Sequence, residues 1–115
     1  MPIYVIQKPI TREELKDVAK ERYGDLVKAV VDVEQGIMAI GGELHADEEV
    51  LLMEQKNSRR EHTWGINLYT EKTGEDFIEF DSMVNLKPSF GNRSRSVENS
   101  EIREKIKVIV QRLIV

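Results

Sequence analysis

The sequence predicts an α+β domain: a mainly antiparallel sheet of about five strands with two main helices, in the order β-α-β-β-(α)-β-β-α. Three observations predict it. Two segments, one near residue 12 and one after residue 99, carry helix caps followed by apolar residues at helical spacing. Between them lie short β-branched or aromatic runs, most of which alternate with a period of two. Short polar or glycine-containing turns join those runs, which favours antiparallel neighbours. The helices are expected on one face of the sheet.

Ile3-Tyr4-Val5-Ile6 reads as the first strand, and Pro9 ends it. Thr11 and Glu14 have capping-box spacing, with Ile10 and Leu15 placed to form a hydrophobic staple. Leu15, Val18, Ala19 and Tyr23 then follow a helical stripe, and Gly24 suits the left-handed residue that ends a helix. A helix over residues 12–23 follows. From Leu26 to Glu34, Val27, Ala29, Val31 and Val33 share one strand face, while Lys28, Asp32 and Glu34 lie on the other. Val30 interrupts that polar face, so cover over it is expected. Gln35-Gly36 reads as a tight turn into a return strand at residues 37–40.

Gly41-Gly42 loosens the return strand. Asp47 then reads as the cap of a short helix with Glu48 and Glu49 in its first turn, a strand over residues 50–54 being the competing reading. Trp64-Gly65-Ile66-Asn67-Leu68-Tyr69 reads as a strand, Thr73-Gly74 as a turn, and residues 77–86 as a further strand stopped by Pro88. After a polar loop at 89–98, Asn99 is an N-cap. Ile102, Ile106, Ile109, Val110, Leu113 and Ile114 form the wide apolar stripe of the last helix.

A length of 115 residues makes one domain, 1–115, the expected organisation. Such a chain buries roughly 65% of its unfolded surface, enough for a core without staples. The absence of cysteine removes disulfides, thiolate metal sites and thiol nucleophiles, and fits a reducing cytoplasm. No basic-then-apolar leader opens the sequence and its apolar runs are short, so neither secretion nor a membrane partner is expected. The net charge of −4 is unevenly spread. Residues 1–85 hold 10 Lys/Arg and 18 Asp/Glu, and residues 86–115 hold 7 and 3, giving −8 and +4. The whole chain repels nucleic acid, whereas its basic end attracts an anion or the acidic remainder of the fold.

Two polar constellations stand out. In Gly41-Gly42-Glu43-Leu44-His45-Ala46-Asp47, an extended backbone points Glu43, His45 and Asp47 to one face. A histidine between two carboxylates suits a base oriented by an acid, or a divalent metal, and the glycines suit close approach of a ligand. The structural reading makes Asp47 a cap, Glu43 a solvated residue and His45 an internal hydrogen-bonding group. The second is Asn92-Arg93-Ser94-Arg95-Ser96, just before the last helix. Its guanidiniums, hydroxyls and helix N-terminus suit a phosphate or carboxylate. Its structural reading is a loop whose arginines pair with the acidic part of the chain that precedes it. His62 beside Trp64 is a lesser candidate, with Trp64 read as a core or cleft aromatic. No phosphate-loop, dinucleotide-binding, H-E-x-x-H or G-x-S-x-G pattern is present.

The runs from Val30 to Asp47, Trp64 to Tyr69, Phe80 to Pro88 and Gly91 to Arg95 resemble a small prokaryotic family catalogued only as a domain of unknown function. The resemblance spans nearly the whole chain, implies a stand-alone cytosolic domain and brings no activity with it. Neither an enzymatic reaction nor a cofactor is selected by these residues. The leading expectation is a small anionic, phosphorylated ligand bound or processed in a cleft between the 41–48 and 91–96 segments. In it Glu43, His45 and Asp47 act catalytically and Asn92, Arg93 and Arg95 hold the ligand, with no metal. The alternatives are a non-catalytic interaction or homo-oligomerisation module, and an RNA-directed factor using the 92–96 loop.

Overall fold

The computed structural model describes residues 2–115. It contains five strands, β1 (Tyr4–Ile6), β2 (Leu26–Asp32), β3 (Ile37–Ile40), β4 (Thr63–Tyr69) and β5 (Ile78–Glu79). It contains three α-helices, α1 (Arg12–Lys20), α2 (His45–Lys56) and α3 (Ser100–Leu113). The strands form one sheet in the order β1-β3-β2-β4-β5, every neighbouring pair antiparallel. The fold is α+β, as expected.

Strand periodicity builds the core. Val31 lies opposite both Met38 and Trp64, and Ala29 opposite both Ile40 and Ile66, so these side chains form rows across one sheet face. Onto that face pack Leu15 and Ala19 of α1 and Ile106, Ile109, Val110 and Leu113 of α3. Each large apolar side chain buried there contributes about 1.5–3 kcal/mol. The two chain ends meet beside this layer, where the Ile10 amide donates to Leu113 O and the Val115 amide donates to Ile10 O.

The Thr11 and Asn99 caps form as read. Thr11 and Glu14 make both halves of the capping box. The Asn99 side chain accepts from the amides of Glu101 and Ile102. The first helix ends at Lys20 rather than at residue 23, because the Gly24 amide, at φ +87°, turns back to Ala19 O.

Four expectations are corrected. The helices occupy both faces: α2 lies on the face opposite α1 and α3, where Leu52 packs on Val30, Ile37 and Ala39. That is the cover over Val30. The β2–β3 connection is a four-residue loop, because Asp32 pairs with Ile37 and its carboxylate accepts from the amides of Glu34 and Gln35. Asp47 does not cap α2; the N-cap is Leu44, with no side-chain bond.

Fourth, the strand expected over 77–86 stops at Glu79. Ser82 Oγ accepts from the Val84 amide and starts a 3-10 turn, Met83–Asn85. The Asn85 amide group then takes the place of a strand: Oδ1 accepts from Gly65 N at 2.8 Å and Nδ2 donates to Gly65 O at 3.0 Å. Gly65 makes room, since a Cβ there would lie 2.5 Å from Ser82 Cβ.

Candidate functional site

Helix α2 begins at His45, so the period of two that would align Glu43, His45 and Asp47 is lost. His45 points inward, with Nε2 2.8 Å from Ile66 O. A carbonyl only accepts, so Nε2 carries the hydrogen. Burial lowers the His45 pKa, opposed by that bond and by nearby Asn67 and Asp81. Glu43 and Asp47 are exposed. The three side chains therefore do not converge.

The glycine pair serves a different acid. Glu48 is fully buried, and its carboxyl accepts from the Gly42 amide at 2.8 Å. A Cβ at residue 42 would lie 2.8 Å from Glu48 Cγ, so the close approach belongs to the protein's own helix. Burial pushes the Glu48 pKa well above the usual carboxylate range, more than the Gly42 bond and the Lys28 charge lower it. Glu49 is buried beside it. Its Oε2 accepts from Thr63 Oγ1 at 2.7 Å and lies 3.5 Å from Nζ of Lys87, which is itself buried and donates to Val84 O. His45, Glu48, Glu49 and Leu52 recur at i, i+3, i+4 and i+7 and form the sheet-facing side of α2. That spacing is present in the sequence, but three of the four residues are polar, so the stripe does not read as a buried face.

In the second constellation Asn92 is scaffold. Buried, it donates to the carbonyls of Asn85, Ser94 and Ser96 and accepts from the Glu98 amide. Arg95 pairs with Asp81 at 2.8 Å, and Arg93 is exposed. The Asp81 carbonyl also accepts from Asn67 of β4. None of Glu43, His45, Asp47, Asn92, Arg93 and Arg95 lines the cleft between α3 and β5 or the one between α3 and the β2–β3 loop. His62 pairs with Glu34 at 2.8 Å, and Trp64 is a core residue. Among the described residues no group of three or more His, Asp or Glu side chains is placed to share a metal ion.

The larger cleft, about 620 Å³, opens between α3, the start of α1 and the segment around β5. Its walls include the rings of Phe77 and Phe80, with Ile78 and Val110. Three cations line it: Arg12, Arg103 and Lys107, against the single acid Glu75. The Arg12 guanidinium lies 3.9 Å from the Phe77 ring centre, and Arg103 lies 5.1 Å from that of Phe80. Backbone carbonyls hold both arginines: Arg12 Nη1 donates to Lys72 O, and Arg103 Nε donates to Val97 O at 2.6 Å. A guanidinium has five N–H donors, so both keep donors beyond these contacts. Stacked, anchored guanidiniums over aromatic walls suit an anion with an apolar body. The sequence reading misses this site because Arg103 and Lys107 look like the solvated side of α3. The available signal is their position one residue beyond Ile102 and Ile106, at the edge of the apolar stripe.

A family model described as "Protein of unknown function (DUF5674)" matches residues 4–113, so the chain belongs to that family. Comparison with curated proteins and with solved structures returned no match.

Proposed function

We propose that this member of a family of unknown function binds a small anionic ligand with an aromatic or apolar body, seated in the cleft between α3 and β5. The observation that carries the reading is the convergence of Arg12, Arg103 and Lys107 around Phe77 and Phe80 in one 620 Å³ cleft. Charge-assisted bonds from arginine to a carboxylate or phosphate are about twice as strong as neutral ones. The rings remove the ligand's apolar part from water. The basic C-terminal stretch, 86–115, supplies Arg103 and Lys107, which gives the uneven charge of the chain a local use. The small anionic ligand follows the expectation from the sequence; the place differs, because Glu48 and Asn92 turn their polar groups into the fold and neither the 41–48 nor the 91–96 segment lines this cleft.

Thermal-shift and calorimetric titrations with phenyl phosphate, indole-3-acetate and inorganic phosphate test this. An aromatic anion at a hundredfold excess over Kd stabilises the fold by about 2.7 kcal/mol. Inorganic phosphate, lacking the ring, shifts it less. Lys107→Ala and Arg12→Ala each weaken the aromatic anion about tenfold, whereas Arg95→Ala leaves it unchanged. No shift with any probe removes the reading. Loss in Arg95→Ala alone moves the ligand to the 91–96 loop.

A further inference from the structure

Helix α2 is built inside out. Its sheet-facing side carries His45, Glu48 and Glu49 with Leu52. Its outward side carries Ala46, Val50 and Met53 at i, i+4 and i+7, with Val50 50% and Met53 40% exposed. A surface helix ordinarily turns such a stripe to the core. Asp47 and Glu54, at i and i+7, flank the stripe, and Glu43, just before the N-cap, is a third acid near its start; all three are exposed. Residues 43–54 hold five Asp/Glu and no Lys or Arg.

We infer that the outward face of α2 docks a basic amphipathic helix from a partner protein, its apolar stripe on Ala46, Val50 and Met53 and its Lys/Arg flank on Glu43, Asp47 and Glu54. The sign of the charge selects the occupant. A second copy of this chain laid on the same stripe brings the same acids, and its own residues 43–54 supply no cation to meet them. A helix with lysines or arginines beside its apolar residues pairs with the acids and covers the stripe together. The surface lies on the face of the sheet opposite α3, so it is independent of the proposed anion site.

The test is fluorescence anisotropy with three labelled peptides, each about five helical turns long. One has a leucine stripe at helical spacing flanked by lysines; one has the same stripe flanked by glutamates; one has the first peptide's composition in scrambled order. The lysine-flanked peptide is expected to bind at least tenfold more tightly than either of the others. The double variant Val50→Ser, Met53→Ser weakens it at least tenfold, with the helical signal in circular dichroism retained. The charge-reversed variant Asp47→Lys, Glu54→Lys turns the preference toward the glutamate peptide, a result that misfolding cannot produce. Equal binding of the scrambled peptide, or undiminished binding to the double variant, overturns the proposal. So does self-association of the wild type that disappears in the double variant, since the stripe then belongs to a second copy. Absence of binding by any peptide overturns it too.

Discussion

Glu48 and His45 lie one helical turn apart and titrate in opposite senses. Glu48 has its folded pKa raised well above the ordinary 4.5. Its contribution to stability is fully present below about pH 4.5 and is lost as pH rises through the raised folded value. The loss runs at about 1.4 kcal/mol per pH unit within that window. His45 has its folded pKa lowered from 6.5. Its contribution is present above about pH 6.5 and is lost as pH falls through the lowered folded value. Glu48→Gln keeps an acceptor for the Gly42 amide and removes the titration. It is expected to flatten the decline in stability above pH 5, so that the variant gains on the wild type as pH rises. Urea denaturation from pH 4.5 to 9 measures this, and an unchanged slope in Glu48→Gln refutes the assignment. None of this is legible from residue type. An acid in the first turn of a helix reads as a solvated dipole partner, and only the sheet above Gly42 reveals it as buried. His45 is marked out by its neighbours in sequence, yet its partner Ile66 is distant in the chain, on β4.

At the scale of elements, the strongest local signals hold, whereas the Asp47 cap, the tight Gln35-Gly36 turn and any substitution between distant residues do not read true. The capping box, the Asn99 cap and the α3 stripe each depend on residues close together in the chain, and each forms as read. The strand over 77–86 fails because Asn85 supplies by side chain the hydrogen bonds that a strand supplies by backbone. Its alternating pattern gives no hint of that exchange. Asn85→Ala leaves both the amide and the carbonyl of Gly65 unpaired in a buried place. A cost of about 1–3 kcal/mol for each such group gives roughly 2–6 kcal/mol in all. Asn85→Asp is expected to be no better, because a carboxylate meets the carbonyl where an N–H did. Urea unfolding of both variants checks this. A loss in Asn85→Ala smaller than the net worth of a single hydrogen bond, about 0.5 kcal/mol at its weakest, means that another group already satisfies Gly65.

Across the whole molecule, the acidic stretch 1–85 and the basic remainder meet in two kinds of contact. Arg95 and Asp81 pair at 2.8 Å with both side chains about half exposed. Lys87 and Glu49 meet at 3.5 Å with side-chain exposures of 1% and 10%. Lys87 is also held by Val84 O and lies over the Trp64 ring. Burial lowers the Lys87 pKa, and the charge of Glu49 opposes that shift. The expectation that the two ends attract each other is met by both pairs, but their energies differ. An exposed pair contributes about 0–1 kcal/mol and is screened by salt. Removing one partner of a buried pair costs about 3–5 kcal/mol, because the other charge is left in a dry place. Arg95→Gln should therefore shift the unfolding free energy by less than about 1 kcal/mol, and less still in concentrated sodium chloride. Lys87→Met should cost several times more and be nearly indifferent to salt. Adding Glu49→Gln to Lys87→Met should recover part of that loss, since the carboxylate, left with only the half-exposed Arg60 guanidinium 4.0 Å away, is then neutral and its amide oxygen still accepts from Thr63. A double-mutant cycle by urea denaturation at two salt concentrations decides it. If Lys87→Met is as mild as Arg95→Gln, water reaches Glu49 and the layer beneath α2 is wet rather than dry.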